Sequence, residues 1–476
     1  MRYFALYLVS VLSVIGCSEK DTNHAYLGGE ITNPKSDVVI LVNPDGKTMD
    51  TVALDANNRF IYKIEEATAG IYSFRHGGEY QVVIIEPKDS LMLRLNTTDF
   101  DESLVYTGEG ARKNNYFLRT FLENEKESRK LVKYSNKEPE EFLAFINERH
   151  AREIKAFNDY IAKKDISEFS KGIIQANINY HNYADKEIYP FAYFGNNKLV
   201  HVMDLPEDFY DYRTSIDYNS KHLSELYDYN RFMFSHVDNL ALNQYYKDKA
   251  YHSTFDRHEL SYNMAKIDLI DSLIEDSEIK NNLLKYKTRE FINHSIDDSE
   301  IAQVLGYYLE RSTSEDDKIM MQNHVNSIKK LRPGRDLPDL MVYNINREEF
   351  KISELVNQPT LIYFWSSNNI MHYRTSHYRV KELRENYPEM DFMSININDN
   401  SEQYWAETLQ KYKFSLEDEY RFKNLKEALR TLAVNYVYKV IIVDKDGDIV
   451  HPNVNIYSDD FEILLQDMKL KKALSI

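Results

Sequence analysis

The sequence predicts a multidomain α+β protein with an N-terminal antiparallel β-sandwich, a helical middle region and a C-terminal α/β domain. Three observations carry that prediction. Glycine is concentrated early: eight of the thirteen glycines beyond residue 17 fall between 26 and 110, and only three fall between 111 and 330. That contrast separates a turn-rich segment from a helical one. From about residue 111 the apolar residues recur at helical spacing. Beyond the breaker run Leu331-Arg332-Pro333-Gly334 the pattern becomes strand, helix, strand, helix, hairpin, helix, which implies a mixed sheet with helices on both faces. At 476 residues the chain is too long for one ordinary core, in keeping with several domains.

The chain opens with a targeting segment. Arg2 supplies a positive start, and Tyr3 to Ile15 form a mostly apolar run of thirteen residues. That is short of the roughly 20 residues a membrane-spanning helix needs, but it suits a signal-peptide core. The run ends in Val14-Ile15-Gly16-Cys17, which resembles a bacterial lipobox. The resemblance implies that residues 1–16 are removed, that Gly16 is small enough for the peptidase, and that the Cys17 thiol accepts a diacylglyceryl group. Several acyl chains then hold the protein to membrane lipid more firmly than one chain does. The acidic residues of Ser18-Glu19-Lys20-Asp21 resemble the surface-export signal of lipoproteins in the Bacteroides group. The implied location is the outer membrane, facing the periplasm or, as the favoured side, the cell surface. Residues 17–24 are read as a tether, and no later apolar run reaches about 18 residues, so no further span is expected.

Residues 25–110 are expected to form the β-sandwich. The runs Asp37–Val42, Arg59–Ile64, Ile71–Arg75 and Gln81–Glu86 alternate or are uniformly apolar. Turn signals at Asn43-Pro44-Asp45-Gly46, Asp55–Asn58 and His76-Gly77-Gly78 separate them, a spacing typical of sandwiches. Glu86-Pro87-Lys88-Asp89-Ser90-Leu91 and Thr107-Gly108-Glu109-Gly110, followed by Asn114-Asn115, resemble the β-domain that precedes many thioredoxin-like lipoproteins of Bacteroidetes.

Residues 111–330 read as several antiparallel helices. Leu118, Phe121 and Leu122 show the spacing, as do Ile267, Leu269, Ile270 and Leu273. Asp298-Ser299 and Thr313-Ser314-Glu315 offer helix starts. This region holds nineteen of the 37 tyrosines, among them Tyr180, Tyr183, Tyr189, Tyr193, Tyr210, Tyr212, Tyr227 and Tyr229. Tyrosine joins a rigid apolar face to a polar tip, so such a set serves either as helix packing or as a platform for a glycan or peptide. The net charge of −17, without a local Lys/Arg cluster, excludes nucleic acid as the main partner.

Residues 331–476 carry the most specific pattern. Thr360–Trp365 is a continuous apolar strand, and Tyr373–Tyr387 is helical. Phe392–Ile397 is a strand, followed by helices at Glu402–Lys413 and Leu425–Val434. Val440–Val443 and Asp448–Val450 pair across Asp444-Lys445-Asp446-Gly447, and Asp459–Leu470 closes as a helix. The strand ending Tyr363-Phe364-Trp365-Ser366-Ser367 and the run Val440-Ile441-Ile442-Val443-Asp444-Lys445-Asp446-Gly447 resemble a thioredoxin-fold domain of the TlpA-like branch. The resemblance implies a Trp-Cys-x-x-Cys site at a helix N-terminus, where the helix end lowers the first thiol's pKa. Aligned on Phe364-Trp365, the two cysteine positions hold Asn369 and His372, and Asn368 replaces the tryptophan before them. Tyr438 stands where the family has its cis-proline. With Cys17 as the only cysteine, no mixed disulfide can form at this site.

Other chemistry is weakly signalled. His372, in the first turn of its helix, has a protonated form disfavoured by the dipole; Asn369 and Ser367 are placed to bind a small polar or anionic group, or else Asn369 caps the helix while His372 packs or meets solvent. Asp444, Asp446 and Asp448 alternate like part of a calcium loop but lack its full ligand pattern and read as a turn. His372 and His377, five residues apart, fall on different helix faces, and no metal set or cofactor is expected. The sequence thus predicts a redox-inactive TlpA-like lipoprotein serving as a binding or scaffolding module for an envelope protein. The alternatives are a glycan- or peptide-binding lipoprotein and the family's disulfide exchange, which the missing thiols disfavour.

Overall fold

Alternating apolar residues and short turns convert the first part of the chain into strands. The computed structural model describes residues 23–194, 205–247, 249, 254–367, 370–398, 402–458 and 461–466. Cys17 and Asn369, with Asn368, lie outside the described residues. The chain divides into two units: one of Met1–His76, Tyr80–Lys126 and Asp159–Ile174, the other of Gly77–Glu79, Glu127–Asn158 and Gln175–Ile476.

In the first unit, strands β1 (Ala25–Thr32), β4 (Arg59–Ile64), β7 (Ser90–Asn96) and β8 (Val105–Glu109) make one four-stranded sheet in the order β4-β1-β7-β8. Strands β2 (Val38–Val42), β3 (Thr48–Ala53), β5 (Gly70–His76) and β6 (Glu79–Ile85) make another, in the order β3-β2-β5-β6. Leu27, Leu91, Leu93 and Leu95 of the first sheet join Val39, Leu41, Phe74, Val83 and Ile85 of the second in one core. The expected antiparallel sandwich is therefore present with one correction: β1 and β7 run parallel, Tyr26 opposite Ser90 through Thr32 opposite Asn96. A parallel pair needs a crossover, and the excursion of β5 and β6 into the other sheet supplies it. The tight β7–β8 pairing requires Gly108, whose φ is +91° and where a Cβ would lie 2.0 Å from the Ser90 carbonyl oxygen.

A short helix α1 (Phe100–Ser103) separates β7 from β8, and α2 (Ala111–Tyr134) follows. Helices α3 (Pro139–Ile161), α4 (Glu168–Tyr193), α5 (Tyr227–Tyr245), α6 (Leu260–Leu273), α7 (Ser277–His294), α8 (Asp298–Arg311) and α9 (Glu315–Lys330) complete the helical middle. The starts of α7, α8 and α9 are capped by short polar side chains. Asp276 accepts from the amides of Glu278 and Ile279, and Ser314 from Asp317. The α8 cap is Asp297, which accepts from Ser299 and Glu300, one residue before the start expected at Asp298-Ser299. Among the described residues no helix is long and apolar enough to cross a membrane.

Most of the tyrosines serve this packing. Tyr180, Tyr189 and Tyr229 are buried, Tyr183 stacks on Tyr212 at 4.2 Å, and Tyr189 stacks on Phe142 at 3.9 Å. Their hydroxyls pin main-chain carbonyls: Tyr189 donates to Lys137 and Tyr229 to Asp217. Of the eight named from sequence, Tyr227 is the exposed one, at 68%. Around these rings lie buried charges in pairs, Asp185 with Arg149 and Arg231, and Glu187 with Arg213 and His236.

The last sheet has seven strands, β9 (Met341–Asn344), β10 (Glu349–Lys351), β11 (Thr360–Trp365), β12 (Asp391–Asn396), β13 (Glu419–Phe422), β14 (Val440–Val443) and β15 (Ile449–Val454), in the order β10-β9-β13-β12-β11-β14-β15. Helix α10 (Ile370–Asn386) links β11 to the parallel β12. Helices α11 (Glu402–Lys411) and α12 (Leu425–Thr431) flank β13 in sequence. Strand β14 runs antiparallel to β11 and pairs with β15. A βαβ unit continued by an antiparallel hairpin on the first strand's other side is the thioredoxin-like core. Strands β9, β10 and β13 extend it beyond what the sequence pattern predicts. The β14–β15 turn is closed by Asp444, whose Oδ1 accepts from the amides of Asp446 and Asp448. This carboxylate is engaged as a turn residue.

Candidate functional site

Strand β11 is buried at every position because it is an interior strand, paired on both sides. It delivers Trp365 and then Ser366 and Ser367 to the start of α10, whose third residue is His372. The loop before β14 delivers Tyr438. The structure brings His372 and Tyr438 together, with ring centroids 4.5 Å apart in an edge-to-face contact. His372 is 4% exposed and Tyr438 47%, so the imidazole is covered and the phenol forms part of the surface.

Burial, reinforced by His377, pushes the His372 pKa down to about 4. Removal from water comes before any effect of the helix end as the cause. The imidazole is neutral at pH 7, so the imidazolium that would serve as a general acid is not formed there. Trp365 packs against Tyr373 and His377 and donates its indole N–H to Glu419 Oε2 at 3.1 Å.

Glu419 is the hub of a buried group that gives no signal in the sequence. His377 Nε2 lies 2.9 Å from Glu419 Oε1, and His377 Nδ1 lies 2.6 Å from the Tyr373 carbonyl. A carbonyl only accepts, so Nδ1 carries hydrogen, and one proton lies between Nε2 and the carboxyl. Glu419, His377 and Trp365 are all buried, so this arrangement sets the position of β11 against α10 rather than meeting a substrate. His372 and His377 do take different surroundings, as five-residue spacing on a helix requires.

Ser367 was expected to be available for a small polar group. Its amide and hydroxyl both donate to Asn398 Oδ1, at 2.7 and 3.0 Å. Asn398 in turn donates to Ser366 Oγ at 3.0 Å. Asn396, at the end of β12, donates to Asn398, and Arg421 Nε donates to Asn396 Oδ1 at 2.9 Å. Ser366 and Ser367 are thus tied down by the side-chain amide of Asn398, two residues beyond β12.

One further group lies beside Tyr438. Lys439 is 4% exposed and donates to the carbonyls of Leu432 at 2.8 Å and Ala433 at 3.4 Å, at the end of α12. No ion pair reaches it among the described residues, and burial lowers its pKa to about 7. His324 of α9 lies nearby, its own pKa lowered to about 4 by burial, then by Lys439 and Arg289.

No family model matches the chain, and no curated protein does. Solved structures do. A candidate thiol-disulfide oxidoreductase of Bacteroides vulgatus is 20% identical, covering 29% of this chain and 97% of its own, with a TM-score of 0.25. A thiol:disulfide interchange protein of a Bacteroides species is 15% identical over 29% of this chain and 90% of its own, with a TM-score of 0.26. A thiol-disulfide oxidoreductase of Bacteroides fragilis is 17% identical over 28% of this chain and 99% of its own, with a TM-score of 0.24.

Proposed function

We propose that this chain is an envelope lipoprotein, held to the outer membrane through acylated Cys17, whose thioredoxin-like domain binds or scaffolds another envelope protein instead of exchanging disulfides. The observation that carries this reading is the cysteine count. Cys17 is the only one, and Asn369 and His372 occupy the positions where the family pattern has its thiols. A fold framework outlasts a chemistry, so the frame alone is no argument for catalysis. The surroundings of His372 support the same reading: a covered imidazole under an exposed Tyr438 presents an aromatic surface and no thiol. Aromatic rings with a polar tip are favoured at protein contacts. The partner's class is an outer-membrane transporter, another lipoprotein or an exported peptide, and the acidic residues after Cys17 favour the cell-surface side.

The test is purification of the lipidated protein from gently solubilised native membranes after crosslinking. A protein recovered with it at stoichiometric level, and lost in a Tyr438→Ala variant, is the expected result. Recovery of the lipoprotein alone under those conditions overturns the scaffold reading.

A further inference from the structure

A recess of about 130 Å³ opens among α4, α5, α6 and α7 in the second unit. Clefts between the helices of a bundle are common ligand sites, and an apolar cavity of similar size, about 150 Å³, holds a benzene molecule. Phe191 and Phe291 supply apolar wall, while Asp238, Lys266, Arg257 and Glu290 supply charge.

The charges do not balance among themselves. Asp238 is claimed by Lys287 at 2.7 Å, and Lys287 also lies 3.5 Å from Glu290. Lys266, 4% exposed, is left with a 3.3 Å contact to the same Asp238 and a position 4.3 Å over the Tyr262 ring. Arg257 makes no ion pair among the described residues. Counting Lys287, which lies behind the lining and takes up one negative charge, three cations share two carboxylates. His258 adds no charge at neutral pH, since partial desolvation and the stacked His294 ring disfavour its proton. A buried cation with poor compensation is costly, and one negative charge from outside would relieve it.

We propose that this recess binds a small monocarboxylate with an apolar body, its carboxylate against Lys266 and Arg257 and its body against Phe191 and Phe291. Burial and the neighbouring Lys287 lower the pKa of Lys266, and a bound carboxylate would raise it again. A net-neutral molecule of the same shape leaves the excess charge in place, so the site discriminates by charge. Arg257 acts as the outer clamp, since its guanidinium can take a carboxylate through two N–H groups. The inference rests on the helical bundle alone and is independent of how the thioredoxin-like domain is used.

The experiment is isothermal titration of the purified full chain at pH 7 with benzoate, isovalerate and, as the uncharged control, benzamide. Binding of benzoate or isovalerate, with benzamide weaker by about tenfold or more, is the expected result, that factor being what a charge-assisted hydrogen bond supplies. Lys266→Met should abolish binding and still fold, because Lys287 remains for Asp238. Arg257→Gln, an exposed position, should weaken it by about tenfold and decides the matter if the first variant fails to fold. Absence of heat with both carboxylates, equal binding of benzamide, or an Arg257→Gln variant that binds as the parent does overturns the proposal.

Discussion

Lys439 is a cation buried where, among the described residues, two carbonyls and no carboxylate receive it. Its folded pKa of about 7 lies below the ordinary lysine value of 10.5, so between those limits the unfolded chain binds a proton that the folded chain has shed. Stability therefore rises with pH across that window, by up to about 1.4 kcal/mol per pH unit, and the cost of burial is fully felt below pH 7. Lys439→Met should raise stability at pH 6 by about 1–4 kcal/mol, the range seen when buried ionic groups give way to apolar ones. The advantage should shrink toward pH 9. Urea unfolding of both proteins from pH 6 to 9 checks it, and a pH-independent difference would refute the assignment. His372 and His324 act in the acid range. Each has a folded pKa of about 4 against an ordinary 6.5. The unfolded chain therefore protonates first as pH falls through that interval, and stability is lost there. A His372→Asn variant should lose less stability than the parent between pH 6.5 and 4.5.

At the scale of elements, the start of α2 closes the sandwich. Asn114 Oδ1 accepts from the Ile84 amide and its Nδ2 donates to the Ile84 carbonyl, both at 2.8 Å. Asn115 does the same for Tyr106, at 2.9 and 2.8 Å. Ile84 belongs to β6 and Tyr106 to β8, one edge strand of each sheet, so two adjacent asparagines satisfy edge groups that would otherwise seek another strand. Lys113 adds ion pairs to Glu86 at 2.6 Å and Asp89 at 2.7 Å in the β6–β7 turn. Glu86 also accepts from Ser167 and Ser170 at 2.7 and 2.6 Å. Asn114→Ala should cost about 2–6 kcal/mol, since it strands a buried donor and a buried acceptor at about 1–3 kcal/mol each. Far-UV circular dichroism in urea is the suitable probe, because the two tryptophans, Trp365 and Trp405, both fall in the other unit. An unchanged transition would show that water replaces both bonds. The sequence displayed Asn114-Asn115 as part of a resemblance, but their purpose needed coordinates, since each partner lies on a strand fixed by tertiary pairing.

Across the whole molecule, legibility followed burial pattern. Strands β11 and β14 read as strands because every residue is apolar or threonine and buried on both faces. Strand β13 did not, because Glu419-Tyr420-Arg421-Phe422 carries two charges in four residues. Their burial depends on Trp365 and His377 for Glu419, and on Asn396 and the Trp405 ring for Arg421. No local rule connects those positions. The same distance between cause and sequence limits the site. The replacements at Asn369, His372 and Tyr438 could be named from the strand that precedes each, but the burial of His372 and the engagement of Ser367 could not.

What the molecule lacks is more decisive for its chemistry than what surrounds the gap. Disulfide exchange needs an attacking thiolate, a mixed disulfide and a second thiol to resolve it. A single cysteine at position 17, expected to be consumed by acylation, supplies none of these within the thioredoxin-like domain. The full chain should therefore leave the rate of insulin precipitation by dithiothreitol unchanged across pH 6 to 8. Dithiothreitol should equally leave its own unfolding midpoint unchanged, because one cysteine cannot form an intrachain disulfide. Acceleration of insulin reduction above the protein-free rate, retained in a Cys17→Ser variant, would mean that electrons pass through a group other than a thiol. Acceleration lost in that variant would place a free, unacylated thiol at residue 17 and remove the lipid anchor from the reading. An unchanged rate in both is the outcome that the cysteine count predicts.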